Sequence, residues 1–379
     1  MRREQQPIPQ DRKVLFNEAK ETLRYQADVY QLGERFEGLP IRLSDIVMLD
    51  VTKIPGCHYG LRNVFVPIIE NLEKERVVKI EGRQEPVRIS PDTTIFAEGS
   101  TGNGWVAFSD ASTMLGYEHC VIMPGGLPEA RYRHPQGRDV QIIKTPAELY
   151  AEGMPLQLKR MIEENPMRLA RGEKIYFSPN HAIRAADITV QAMSALGEDL
   201  LAKVGNYPGP LTVVASMGNG ASVCALGEYL KRSRPKDEIY STETLYGVGY
   251  NRYAEMHDML SYRDLYGIDP GDPRLMKTFT AFGTNAPLGV DLPLQRRAIE
   301  GGLLDGYNLF TDDRTVAEFE AICNSPVYRA RVRNLPNINR LPQALYDTYG
   351  NSTLGNIAAA KRRGGLIVAL AYDGRENYK

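Results

Sequence analysis

Apolar and polar positions follow two rhythms along this chain. Short runs such as TTIFAEG from Thr93 and LTVVAS from Leu211 are nearly continuous in β-prone apolar residues and stop at small ones. The stretches after them carry apolar residues at three- and four-residue steps. A continuous apolar run predicts a strand buried on both faces, and the longer step predicts an amphipathic helix. The pair recurs: TTIFAEGSTGNGWVAFSDASTMLGY (93–117) and LTVVASMGNGASVCALGEYLK (211–231) each read as strand, glycine-punctuated loop and helix. Units of this kind, repeated to about residue 165, predict an α/β fold with a mostly parallel sheet. Residues 14–36, which include LFNEAKETLRYQADVYQLGERF, predict a helix, and IRLSDIVMLDVTKIPG a strand and a loop. No repeat of solenoid period is present.

The rhythm divides the chain. Residues 1–13, polar and with two prolines, are expected to form a flexible arm. Residues 14–165 are expected to form a smaller lobe and residues 166–379 a larger one, with the N-terminal segment able to cross to the second. Between about 231 and 345 the sequence is dense in Tyr, Gly and Pro, as in YGVGYNRYAEMHDMLSYRDLYGIDPGDPR, and reads as loops. Loops at the carboxyl ends of a parallel sheet line its crevice, so substrate specificity is expected there.

Composition narrows the function. With 379 residues, 42% hydrophobic and 25% charged, the chain can bury two cores. A formal net charge of −1 gives no electrostatic ground for binding nucleic acid or an anionic membrane. No run of eighteen apolar residues exists, and the polar start lacks a secretory pattern, so a cytoplasmic location and a small-molecule substrate are expected. Cys57, Cys120, Cys224 and Cys323 are scattered, and the five histidines form no helical pair, so no metal site is encoded locally.

Both glycine loops carry chemistry. Where a strand stops at small residues, the backbone N–H groups and the positive end of the next helix's dipole can hold an anion. Two anion sites on one open sheet suggest a ligand with two acidic groups, such as an amino-acid adduct of a phosphorylated cofactor. In Gly218-Asn219-Gly220-Ala221-Ser222 the glycines admit oxygens close to the backbone, and Asn219 and Ser222 can donate. The alternative is a structural turn. For Ser100-Thr101-Gly102-Asn103-Gly104 the alternative is an ordinary helix cap.

In this order the two runs resemble fold type II pyridoxal-phosphate enzymes, in particular the cysteine synthase and cystathionine β-synthase branch. The stretch 116–148 is similar to the strand, helix and strand that follow the family's substrate loop, and 350–378 to its C-terminal serine-pair helix and closing strand, so the resemblance runs from about Ile46 to the end. It implies the two-lobed, tryptophan synthase β-like architecture, pyridoxal 5'-phosphate as cofactor, an amino-acid substrate and a homodimer. It implies that Gly218, Asn219, Gly220, Ala221 and Ser222 hold the phosphate with Ser352 and Thr353 nearby, the latter pair having helix capping as their alternative. It implies that Asn103 meets the cofactor's phenolic oxygen and that Ser100, Thr101, Gly102 and Gly104 take the substrate carboxylate. Asp373 falls where the family bonds the pyridine nitrogen, and an aspartate there favours carbanion chemistry; the alternative is a turn residue before Gly374. His181 and Arg184 fall at substrate-covering positions, with Arg184 open to being a surface charge.

One departure is chemical. The family's Schiff-base lysine lies in a loop that here reads Pro55-Gly56-Cys57-His58-Tyr59-Gly60-Leu61-Arg62, and the lysine position falls on Gly60. Without that amine no covalent link forms at the usual place, and the α-proton needs another carrier. Tyr59, His58 and Lys53 are the candidates. The expected function is β-elimination, β-replacement or other α-carbanion chemistry with a non-covalently held cofactor. A silent ligand-binding relative, or an enzyme of this fold without the cofactor, is the alternative.

Overall fold

The computed structural model describes residues 9–24, 26–52, 62–75, 77–81, 85–100, 102–135, 137–244, 249–267 and 292–375. The strands within them run, in chain order, Asp28–Gln31 (β1), Val47–Asp50 (β2), Val77–Val78 (β3), Val87–Arg88 (β4), Thr94–Gly99 (β5), Glu118–Pro124 (β6), Gln141–Thr145 (β7), Ile175–Phe177 (β8), Leu211–Ser216 (β9), Glu238–Thr244 (β10), Gly306–Phe310 (β11) and Leu366–Ala371 (β12). They belong to two compact units, one of Met1–Tyr25 with Ile54–Ala192 and one of Gln26–Lys53 with Met193–Lys379.

In the first unit β7, β6, β5 and β8 lie side by side and all pair in parallel. Parallel strands need covered faces, and the Gly104–Met114 helix supplies one: its residues from Gly104 to Ser112 are all buried. The sequence explains this, since GWVAFSDAS is small or apolar nearly all the way round. Phe65 packs edge-on to Phe108 with centroids 5.4 Å apart, and Phe96 stacks on Tyr117 at 4.2 Å. β3 and β4 form a separate antiparallel pair.

The second unit holds a six-stranded sheet in the order β1-β2-β12-β9-β10-β11. Its members from β2 to β11 are parallel, and only β1, at the edge, is antiparallel. Every residue of β9 is buried, as an unbroken apolar run at the centre of such a sheet requires. The Asn351–Ala360 helix, buried throughout, lies over it. Asn356 ties the layers together: its Oδ1 accepts from Ser216 Oγ at 2.9 Å and its Nδ2 donates to the Leu370 carbonyl at 2.7 Å.

Several expectations are corrected. The helix of residues 14–36 is Gln10–Leu23 only, so the expected arm already contains helix from residue 10. Residues 28–31 are instead the edge strand β1, where Tyr30, 5% exposed, faces Met48 of β2; pairing with a buried strand outweighs the helical spacing. Between β6 and β7 the described residues hold the 3₁₀ turn Glu129–Tyr132 where the resemblance implies a helix, because Gly125, Gly126 and Pro128 stop a longer one. Residues 231–345 are not mainly loops among the described residues, for they include β10, β11 and helices such as Pro293–Glu300 and Asp313–Cys323. The two compact units divide after Ala192: β8 pairs with β5, and residues 26–53 belong with the later unit.

Candidate active site

At the carboxyl end of β5 the chain turns through Ser100, Gly102 and Asn103 into the Gly104–Met114 helix. Ser100 Oγ donates to the Gly102 carbonyl at 3.0 Å, which folds the loop on itself. The helix N-cap is Asn103, whose own side chain does not cap the first turn. Asn103 Oδ1 instead accepts from Arg131 Nη1 at 3.0 Å, and Arg131 is only 6% exposed. The single tryptophan holds that arginine: Trp105 Nε1 donates to the Arg131 carbonyl at 3.1 Å. A buried cation beside the positive end of a helix makes this end of the sheet favourable for a carboxylate.

The adjacent strand β8 brings a second group to the same end of the sheet. His181 Nδ1 lies 2.9 Å from Glu98 Oε1, and Glu98 Oε2 accepts from Ser178 Oγ at 3.0 Å and the Asn180 amide at 2.9 Å. Arg184 follows in the same turn; it is exposed, lies 4.6 Å from the Phe177 ring centroid, and donates to the Ser178 carbonyl at 3.3 Å.

In the second unit, Gly218 to Ser222 follow β9 and lead into the Ala221–Ser233 helix. Its N-cap is Gly220 with φ of 93°, a left-handed backbone natural only to glycine. The cap has no side chain, and Asn219 Oδ1 accepts from the Ala221 amide at 3.0 Å. Gln295 Nε2 fixes the loop from outside by donating to the Gly218 carbonyl at 3.1 Å. Beneath it Tyr372 acts as a hub. Its hydroxyl donates to the Ser216 carbonyl at 2.7 Å and lies 3.2 Å from Ser222 Oγ, while its amide donates to Thr353 Oγ1 at 3.1 Å. Asp373 follows directly, 2% exposed, with its carbonyl accepting from the Gly350 amide at 3.0 Å. Ser352 is buried, and its carbonyl accepts from Ser216 Oγ at 3.3 Å.

At the end of β2, Asp50 is 3% exposed and accepts from the Thr52 amide at 2.8 Å and from Tyr30 at 2.6 Å. The Tyr30 hydroxyl also meets that of Tyr349. Burial, with the Asp50 charge beside it, pushes the Tyr30 phenol far above its ordinary value. Lys53, Cys57, His58, Tyr59, Gly60 and Thr101 lie outside the described residues. Arg131, Glu98 and Tyr372 were not singled out in the sequence. The arginine meets Asn103 across 28 residues and the carboxylate meets His181 across 83, separations that no local spacing signals. Among the described residues no cluster of His, Cys, Asp or Glu is placed to hold a metal, and no helix is long and apolar enough to cross a membrane.

No protein-family model matches the sequence. Solved structures do. A hydrogen sulfide-producing enzyme from Fusobacterium nucleatum superposes with a TM-score of 0.61 at 15% identity, over 95% of this chain and 97% of that one. An O-acetylserine-dependent cystathionine β-synthase from Helicobacter pylori gives 0.61 at 13% identity, over 95% and 96%. A cysteine synthase from Entamoeba histolytica gives 0.59 at 16% identity, over 99% and 92%. At these identities the likeness is one of fold, and the fold of this chain is that of fold type II pyridoxal-phosphate enzymes of the cysteine synthase and cystathionine β-synthase kind.

Proposed function

We propose that this chain is a cysteine synthase-like enzyme of amino-acid metabolism. It holds pyridoxal 5'-phosphate non-covalently and removes the α-proton of a small amino acid in a β-elimination, β-replacement or related reaction. The observation that carries this reading is the Gly218–Ser222 turn: a left-handed glycine at the mouth of a helix, at the end of the central strand of this fold. The left-handed Gly220 and the positive end of the Ala221–Ser233 helix dipole support an anion at this turn.

Gly218, Asn219, Gly220, Ala221, Ser222 and Ser352 would hold the phosphate, and Asp373 would accept a hydrogen bond from the ring nitrogen. Asn103 would meet the phenolic oxygen. Ser100, Thr101, Gly102 and Gly104 would receive the substrate carboxylate, with His181 and Arg184 close to the substrate. When bound, the cofactor supplies an electron sink for charge developing at the α-carbon. Lys53, His58 and Tyr59 are offered as further proton carriers on sequence grounds alone. We assign a homodimer to the protein in solution.

The test is an absorption spectrum and an intact mass before and after borohydride reduction of protein incubated with the aldehyde. Expected is a coloured protein that loses its cofactor on denaturation and gains no mass on reduction. Mass added to Lys53 would restore covalent catalysis. A protein that takes up no aldehyde would overturn the reading. One observation favours a second reading, a protein of this fold with another ligand: Ser222 Oγ and Asn219 Oδ1 are already engaged, by Tyr372 and Ala221.

A further inference from the structure

We propose that Tyr372 is a positioning residue that weakens the hold of the Gly218–Ser222 turn on a phosphate, because it takes the Ser222 hydroxyl proton; the proposal rests on the functional reading above. The turn leaves the end of β9, and Tyr372 directly follows β12, the parallel neighbour of β9. Both therefore stand at the same end of the sheet. Ser222 is the second residue of the Ala221–Ser233 helix, at the positive end of its dipole.

The direction of each hydrogen bond follows from counting protons. The Tyr372 hydroxyl has one, and a carbonyl can only accept, so the 2.7 Å contact with the Ser216 carbonyl uses it. The 3.2 Å contact between Ser222 Oγ and the same hydroxyl then has only the Ser222 proton to share. Ser222 thus donates to Tyr372 and offers a ligand lone pairs alone. A phosphate dianion also presents only acceptors, so this arrangement of the hydroxyl opposes it.

The tyrosine is held where it does this. Its amide donates to Thr353 Oγ1 at 3.1 Å, and Ser216, which accepts its proton, is fixed in turn by donating from Oγ to Asn356 Oδ1 at 2.9 Å. Tyr372 is 8% exposed, Ser216 4% and Ser222 3%, so all three hydroxyl-bearing residues are shielded from water that could replace a lost partner.

To donate to a phosphate oxygen, Ser222 must turn its proton away from Tyr372. The exchange is favourable, because a hydrogen bond to an ionised oxygen is stronger than one between neutral groups and 3.2 Å is long for two oxygens. It nevertheless forfeits the Ser222–Tyr372 bond, so the turn holds a phosphate less tightly than it would with no hydroxyl at position 372. Tyr372 keeps its bond to Ser216 throughout. No covalent bond changes, and each proton stays on its own oxygen.

The test measures affinities by calorimetry for pyridoxal phosphate, inorganic phosphate and pyridoxal, which lacks the phosphate, in wild type, Tyr372→Phe, Ser222→Ala and the double variant. Tyr372→Phe is expected to bind both phosphate-bearing ligands about threefold or more tighter than wild type, within the range of one neutral hydrogen bond, with pyridoxal unchanged. Ser222→Ala should cost more phosphate affinity in the Tyr372→Phe background than alone, since in wild type part of its bond is offset by the one given up. A tyrosine that is only structural would change stability without separating ligands with a phosphate from one without. Wild-type or weaker affinity of Tyr372→Phe for both phosphate-bearing ligands overturns this proposal alone, as does equal tightening toward pyridoxal. Failure of wild type to bind either phosphate-bearing ligand overturns the functional reading and the proposal with it. If Tyr372→Phe does not fold, carbon-13 NMR of tyrosine labelled at Cζ decides. The resonance that Ser222→Ala moves most should move the same way when phosphate is added to wild type, and a resonance that stays in place overturns the proposal.

Discussion

A methyl group at Gly220 has nowhere to go. It would lie 2.6 Å from the Gln295 amide nitrogen and 2.7 Å from the Leu294 carbonyl carbon, both backbone atoms that cannot swing aside. At a φ of 93° any side chain is strained besides. Gly220→Ala is expected to cost more than about 2 kcal/mol in urea unfolding and to abolish cofactor uptake. A variant as stable as wild type would show that the turn is not packed as described. Arg131 makes a different kind of prediction, because it acts on a loop. Its guanidinium holds Asn103 Oδ1 at 3.0 Å, so Arg131→Met removes a buried charge and its bond while keeping the stem. Binding of an amino acid, followed by the change in cofactor absorbance, should weaken by about tenfold, the scale of one charge-assisted hydrogen bond. Unchanged affinity would separate Arg131 from the site.

At the scale of elements, what could be read from the sequence was what depends on near neighbours. The passages from β5 and β9 into their helices were legible because a doubly buried strand, a glycine turn and a helical spacing are each written within a few residues. The strand β1 was not, since QADVYQL carries a spacing that suits a helix, and only the presence of β2 opposite makes it a strand. The loop residues Asn103 and Asn219 were legible as polar atoms, but their partners Arg131 and Ala221 decide which way they face. Asn356 is the clearest case of a residue with no local signal. It sits in NSTLGNIAAA, where it reads as a helix residue of no special kind, yet it is fully buried and joins β9 and β12 to the Asn351–Ala360 helix. Asn356→Leu should leave buried partners without their bonds and lower stability by about 3 kcal/mol, read as a shift in the urea midpoint. A change below about 1 kcal/mol would mean that the helix is held by its apolar face alone.

Across the whole molecule, buried acidic hydrogens make stability depend on alkaline pH, and both units share the dependence. Cys120 in β6 and Cys224 in the Ala221–Ser233 helix are fully buried. Burial, the largest cause in each case, pushes Cys120 from 9.0 to about 11 and Cys224 from 9.0 to about 12. Burial likewise moves Tyr266 from 10.0 to about 12. The sign follows from where the proton is held more tightly. Above pH 9 the unfolded chain releases thiol protons that the folded chain retains, so the unfolded state gains and folding weakens. The stability is fully present below about pH 9 and is lost progressively as pH rises toward the folded values of about 11 and 12. By about pH 10.5 each thiol contributes a loss on the order of 2 kcal/mol. Urea midpoints measured from pH 8 to 10.5 should therefore fall steadily, and the fall should be shallower in Cys224→Ala, whose Sγ otherwise donates to the Leu294 carbonyl at 2.8 Å. A thiol reagent at pH 8 should reach the partly exposed Cys323 before Cys120 or Cys224, which should react only on unfolding. Midpoints flat across that range, or prompt reaction of Cys224 in the folded protein, would mean that the helix carrying it opens to water without global unfolding.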